Sequence, residues 1–446
     1  MLRIFLIWVI ALIAGSGWFL LRGESGLAGN SADTVALASE VPLERVEQIE
    51  LQYRDGRLLV FERNDSGWRQ VKPFPVGVET FSARQLGAVA ADLRGSEVSL
   101  EEEGSGPTST QLGLDPAAAT ITWRWPEGEH SVSLGNRTLA GRAWARVGEE
   151  PRAVLVEAEL HERVLETDDR LWRDRLLAPN AGTNTNQILI QAGNEQLELE
   201  RAGTGWKMTT PVSTRADGSA VADWLARLSR AKAEGYLYDE PEDLDRFGLD
   251  VPIARVELLG KDAEGSHVII IGDPIGVGMS DRYAMVLGSP SVVRISEEIQ
   301  RILVPTAATL VDATGSGIVR ENIARFEVRT PPGAVDLELE RDFDQWVLRV
   351  DEAEPVPVDG AAVERFLMQL TNSRSGELAF NDYPQELEQA IVVFYGFDGA
   401  PLDTVRIARE PEGGRWALEN GDGVLRIFPA SLDPAITPED FELSSP

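Results

Sequence analysis

Cysteine is absent from this chain, and lysine and histidine are scarce. Without a thiol there is no disulfide, no Cys-ligated zinc, no iron–sulfur cluster, no thiol nucleophile and no lipobox. The lysines are Lys72, Lys207, Lys232 and Lys261, so positive charge rests almost wholly on arginine. Basic side chains number 42 against 73 acidic ones, a net charge of −31. Such a surface repels phosphate backbones and anionic lipid, so nucleic acid is not an expected partner. Two readings of the acidity stay open: adaptation to a saline medium, where salt screens self-repulsion, or a compositional bias toward arginine with an acidic habit.

The three histidines offer little chemistry. His130 and His267 each stand five residues before a glycine, Gly135 and Gly272, and a doubled position favours a structural role. His161-Glu162 opens like a zinc-peptidase helix, but Leu165 stands where the second histidine belongs, so HExxH fails. Gly276-Val277-Gly278 lacks the third glycine of a dinucleotide fingerprint, and there is no Walker A lysine motif. Gly315-Ser316-Gly317 reads as a linker rather than a nucleophile elbow. The acidic run Asp239 to Asp245 lacks the spacing of an EF-hand loop, and it reads, like Glu101-Glu102-Glu103, as a solvated turn. No catalytic residue, cofactor-binding residue or metal ligand is assigned, and no cofactor is expected.

What is present starts with an apolar run. Ile4 to Leu21 carries no charge over 18 residues, is flanked by Arg3 and Arg22, and includes Trp8 and Trp18. That length just spans a hydrocarbon core, and tryptophan suits its interfaces. The alternative is a cleaved signal peptide, but the nearest A-x-A triplet, Ala36-Leu37-Ala38, lies far past the run. Residues 1–22 are therefore read as an uncleaved single-pass anchor, with the large acidic, cysteine-free body outside the cytoplasm; the resemblance given below makes that membrane the bacterial cytoplasmic one and that side the periplasm. Residues 23–42, rich in Gly, Ser and Ala, read as a flexible tether.

The remaining length repeats itself. Glu62-Arg63 with Trp68, Glu200-Arg201 with Trp206, and Glu340-Arg341 with Trp346 share one spacing and recur at intervals of 138 and 140 residues. Each follows an alternating strand pattern and a short polar turn, which predicts a β-hairpin whose second strand opens with tryptophan. A helix comes next each time: Asp217 before Val221, Trp224, Leu225 and Leu228; Asp359 before Val363, Phe366, Leu367 and Leu370; and Ser82, with Gln85 in capping-box position, before Leu86, Val89, Ala90 and Leu93. Gly113-Leu114-Asp115 and Gly248-Leu249-Asp250 match, whereas the third copy lacks the triplet. Trp144-Ala145, Tyr283-Ala284 and Trp416-Ala417 then precede final strands at Val154–Val156, Val292–Ile295 and Val424–Ile427.

The expected fold class is α+β: an N-terminal transmembrane helix, then three tandem repeats of a mostly antiparallel sheet with one packed helix each. The repeats are placed at 43–178, 183–312 and 318–446, joined near Pro179-Asn180-Ala181-Gly182 and Thr314-Gly315-Ser316-Gly317. The repeated tryptophans are expected to be core plugs covered by arginine rather than ligand platforms.

Anchor, hairpin, capped helix, GLD triplet and aromatic-Ala strands together resemble the domain-of-unknown-function 4340 family of bacterial membrane-anchored proteins. The resemblance covers nearly the whole chain and is weaker in the third copy. It carries no catalytic residues, and it implies an accessory role beside ABC-type transport systems linked to gliding motility. The expected function is thus a non-catalytic, membrane-tethered periplasmic interaction protein. A glycan-binding envelope module and a hydrolase with a carboxylate dyad are the alternatives.

Overall fold

The structure is a computed structural model. It describes residues 34–442 apart from 66, 102–105, 183, 261–265, 332–333, 344, 350–353, 381, 411–413, 432–433 and 435. The expected anchor, with Ile4, Trp8, Trp18 and Leu21, lies outside the described residues. Among the described residues no helix is long and apolar enough to cross a membrane. The chain divides into two compact units, one ending at Asp174 and the other running from Arg175 to Pro446.

The first unit holds a ten-stranded sheet. In spatial order its strands are Val76–Val78, Gly67–Lys72, Leu58–Asn64, Gln48–Tyr53, Ala119–Trp125, Gly128–Arg137, Arg142–Val147, Arg152–Glu157, Arg94–Ser99 and Thr34–Ala36. The last of these strands, with buried Leu37 and Ala38 behind it, lies in the segment read as tether, so the folded body begins earlier than residue 43.

The second unit holds two nine-stranded sheets. One runs Thr214–Arg215, Gly205–Thr210, Glu195–Ala202, Thr185–Ala192, Ala254–Gly260, His267–Pro274, Arg282–Val286, Ser291–Ile295 and Gly235–Asp239. The other runs Val356–Pro357, Gln345–Arg349, Ala334–Asp342, Arg325–Thr330, Glu388–Tyr395, Pro401–Arg409, Trp416–Glu419, Leu425–Phe428 and Glu377–Ala379. Apart from the extra edge strand in the first, the three sheets share one strand order, and the pairings named below are antiparallel.

Period-2 patterning explains the shared register. In the first sheet Ile49 lies between Phe61 and Trp123, and Leu51 between Leu59 and Ile121. Ile188 lies between Leu199 and Leu258 in the second, and Phe326 between Leu339 and Phe394 in the third. These rows are buried, and one helix per sheet closes over each of them.

The helices are Thr80–Asp92, Gly218–Leu228 and Gly360–Thr371. The second and third connect the two edges of their sheets across one face, and the first runs from the Val76–Val78 edge to Arg94–Ser99, next to the opposite edge. Asp217 and Asp359 accept from the first-turn amides and cap the second and third helices. Helices this short are marginal alone. Burying a quartet such as Val363, Phe366, Leu367 and Leu370 contributes about 6–12 kcal/mol of transfer energy, so docking decides that they form. The first helix departs from expectation. Its cap residue is Glu79 without a side-chain cap bond, and Ser82 lies within the helix, so the capping box does not form. Gln85 instead accepts from Arg163 at 2.6 Å.

The GLD triplet has a packing reason. Gly113 and Gly248 have φ of +70° and +65°, which only glycine adopts without cost. The preceding carbonyls, of Leu112 and Phe247, press against strand glycines 135 and 272, where any Cβ would collide. Leu114 and Leu249 then nucleate small apolar clusters with Trp144 and Tyr283 respectively. By register the third sheet carries Ala408 at that strand position, which excludes the same close turn.

Two expectations for the third repeat need correction. Register aligns Leu418, not Ala417, with Ala145 and Ala284. Trp416 is therefore one place off, and it enters the helix-side core, whereas Trp144 and Tyr283 lie on the other face. The last strand runs Leu425–Phe428, and Val424 is buried in the second sheet's core.

Candidate functional site

The repeated Glu-Arg and Trp residues sit where two hairpin strands meet. Arg63, Arg201 and Arg341 pair directly across the ladder with Trp68, Trp206 and Trp346. The three indoles are 5–7% exposed. Arg201 lies 4.5 Å from the Trp206 ring centre and Arg341 5.0 Å from that of Trp346, stacking worth about 0.5–1 kcal/mol at such partly exposed sites. Arg63 donates to the Glu44 carbonyl at 2.8 Å. Glu62 accepts from Gln48, and Glu340 from Arg349, both along the sheet surface. Glu200 pairs with Gln187 on one side and Lys207 on the other.

Beside Trp346 a cleft of about 530 Å³ opens, lined by Arg341, Gln345, Trp346, Pro357, Val358, Gly360 and Glu364. Glu364 is approached at 3.5 Å by Arg320, Arg341 and the Trp346 Nε1. A second cavity, about 450 Å³, lies along the same helix between Arg365, Phe366, Trp416 and Asp440. Neither offers an open aromatic face: Trp346 and Trp416 are 5% and 2% exposed.

The histidines stay apart. His130 bonds the Leu37 carbonyl at 2.7 Å, and His161 the Trp144 carbonyl at 3.0 Å. His267 is half-buried, and burial lowers its pKa, as it does that of His161. In the acidic run, Asp239 ends a strand and accepts from its cross-strand partner Ser291, and Asp243 accepts from the amide of Asp245, an ordinary turn contact. Among the described residues no group of three or more His, Asp or Glu could hold a metal ion.

A buried polar cluster that sequence reasoning missed joins the second and third sheets inside the second compact unit. Register puts Arg426 at the place of Val154 and Val293 in the sister sheets. Arg426 is 1% exposed and forks onto Asp422 at 2.8 and 3.1 Å. Its Nε also donates to the Asp312 carbonyl at 3.3 Å. Asp422 in turn accepts from the Thr214 hydroxyl of the second sheet's edge strand. Burial pushes the Asp422 pKa up, but bonds from Arg426 and Thr214 outweigh it and hold the group below the usual carboxylate range.

Around this seam Arg215 donates to the carbonyls of Gly315 and Ser316. Arg374 pairs with the helix-capping Asp217 at 2.7 Å. Burial raises the Asp217 pKa, but its hydrogen bonds and Arg374 carry it down to about 2. Thr314 to Gly317, read as a linker, is a pinned joint. Ser316 and Gly317 amides donate to Leu370 and Thr371, and no Cβ fits at Gly315 or Gly317. Matching the third repeat by its aromatic-Ala pair hides the seam, because the one-residue offset conceals that Arg426 replaces a valine.

The chain belongs to the family described as Domain of unknown function (DUF4340), whose family model matches residues 81–207 and 206–390, more than half of the chain. The two matches meet in the Gly205–Thr210 strand, so the family's unit is offset from the sheet by one hairpin. No curated protein matches the chain.

Proposed function

We propose that this DUF4340 protein is a membrane-tethered, extracytoplasmic interaction protein, an accessory of an ABC-type transport or motility system, held in the cytoplasmic membrane by residues 1–22. The observation that carries the reading is where the repeated residues go. Trp68, Trp206 and Trp346 close their own cores, so the chemistry repeated within the chain serves architecture and leaves function to outer surfaces. The seam at Asp422 and Arg426 supports it further, since it ties the second repeat's edge strand to the third repeat.

Catalysis by paired carboxylates gains no support. Among the described residues every carboxylate with a shifted pKa (Asp55, Asp217, Glu327, Glu410 and Asp422) is shifted down. A general acid working near neutral pH needs the opposite. Glycan stacking likewise lacks exposed rings at the repeated positions.

In-cell crosslinking of the full-length protein, gentle detergent extraction and mass spectrometry test the proposal. Transporter subunits should co-purify and be lost when the body is detached from residues 1–22. Recovery of the protein alone, or with envelope glycan, would refute it.

A further inference from the structure

The third sheet carries an apolar feature that its sisters lack. Phe343 sits in the turn between Ala334–Asp342 and Gln345–Arg349, is 95% exposed, and has φ of +55°. By register the second sheet places Gly203 there, with φ of +61°. A bulky side chain in the left-handed region is disfavoured, because its Cβ crowds the backbone. A fully solvated phenyl ring gains nothing in return from this fold. Strain of this kind, in an over-determined turn, is a recurrent mark of function.

A second ring stands at the same end of the same sheet. Arg325 pairs with Glu340 on one side and Tyr395 on the other, and Ala324 bridges the backbones of Arg341 and Tyr395. The turn after Tyr395 presents Phe397, 73% exposed, with Leu402 beside it at 40%. The strands that lead into the two turns, Ala334–Asp342 and Glu388–Tyr395, are two strand spacings apart, roughly 10 Å. Each of the two phenylalanines has an acid next to it in its turn: Asp342 before Phe343 and Asp398 after Phe397. At the corresponding turns among the described residues, the sister repeats carry Asp65, Gly203 and Pro126-Glu127.

We infer that Phe343, Phe397 and Leu402 form a docking tip that inserts into an apolar pocket on a partner protein rimmed by arginine or lysine. The acids beside the two phenylalanines, Asp342 and Asp398, fix the sign of the rim. They also oppose insertion into an anionic lipid surface. The inference rests on the reading of this chain as an interaction protein and names the surface that serves it.

The test uses the full-length protein in its own cells, with p-benzoylphenylalanine introduced at 343 or 397. Leu139 and Val277, exposed in the other two repeats, serve as comparison positions. The expected result is a protein adduct from both tips whose crosslinked partner peptide holds apolar residues flanked by Arg or Lys. Its yield should drop at least tenfold at 397 in a Phe343→Gly background, and at 343 in a Phe397→Ser background. Adducts from 139 or 277 alone would overturn the assignment of this surface while leaving the interaction function standing. No adduct at any position would overturn both. Adducts only with lipid, or only with a second copy of this chain, would overturn the docking tip. A fall in thermal stability of Phe343→Gly would also overturn it, since the ring would then serve the fold.

Discussion

Replacing Asp422 by asparagine keeps the shape of the seam and removes the charge opposite Arg426. Arg426 is 1% exposed and cannot turn to water. Leaving one half of a buried pair typically costs about 3–5 kcal/mol. Two features place this case at the lower end. Arg426 keeps the carbonyls of Asp312 and Val424, at 3.3 and 3.2 Å, and the Asp422 side chain is 13% exposed, so some solvent screening is already present. A loss of about 3 kcal/mol corresponds to a change of roughly 150-fold in an opening equilibrium. Amide hydrogen exchange on the full-length protein, read by mass spectrometry, reports it locally. Peptides covering Thr214–Leu228 in the second repeat and Leu425–Phe428 in the third should exchange roughly 100-fold faster. Strand Ala119–Trp125, which carries no atom of the seam, is the internal reference. A double variant, Asp422→Ala with Arg426→Val, restores the residue of the sister sheets and should recover most of the protection, since apolar replacement of a whole buried pair is often neutral. If exchange in the second repeat changes by less than about threefold, or the double variant is as damaged as the single, the seam does not couple the two repeats.

Three further outcomes are expected. Gly272→Ala forces a Cβ onto the Phe247 carbonyl and should cost about 1–3 kcal/mol in chemical denaturation, whereas Ala408→Gly in the third sheet should cost less than about 1 kcal/mol; equal effects would remove the packing reason for the GLD turn. Phe343→Gly should raise stability by about 1 kcal/mol, seen as a higher melting temperature, and no change would show the turn to be unstrained. Asp217 and Asp422 have folded-state pKa values below those of the unfolded chain, so the unfolded state binds protons first as pH falls. Their contribution is present above about pH 4 and is lost as pH falls through the depressed folded-state values, for Asp217 toward about 2, and Trp fluorescence during acid titration should track it, with a shallower acid slope in Asp217→Asn.

Much of the architecture was legible because it is local and repeated. The alternating strands Leu197–Arg201 and Leu337–Arg341, the Asp217 and Asp359 caps and the apolar quartets Val221 to Leu228 and Val363 to Leu370 obey short-range periodicity that repetition reinforces. The candidate sites were less legible. Ser82 looked like a cap because its spacing to Gln85 fits a capping box, yet the helix starts earlier, at Thr80, and Gln85 is engaged by Arg163. Thr314 to Gly317 looked like a linker because its composition is that of one, and only the Leu370 and Thr371 carbonyls and the Arg215 guanidinium show it to be pinned.

The sequence by itself determined the number of repeats, the hairpin and helix in each, and the absence of thiol chemistry, since these depend on composition and on periods of two and 3.6 residues. Only the tertiary structure decided that Trp416 faces the core, that Arg426 stands in a valine's place, that Asp422 ties the third repeat to Thr214 of the second, and that Phe343 and Phe397 share one end of a sheet. Each of these depends on strand register between residues far apart in the chain, where a slip of one position exchanges the buried face for the exposed one.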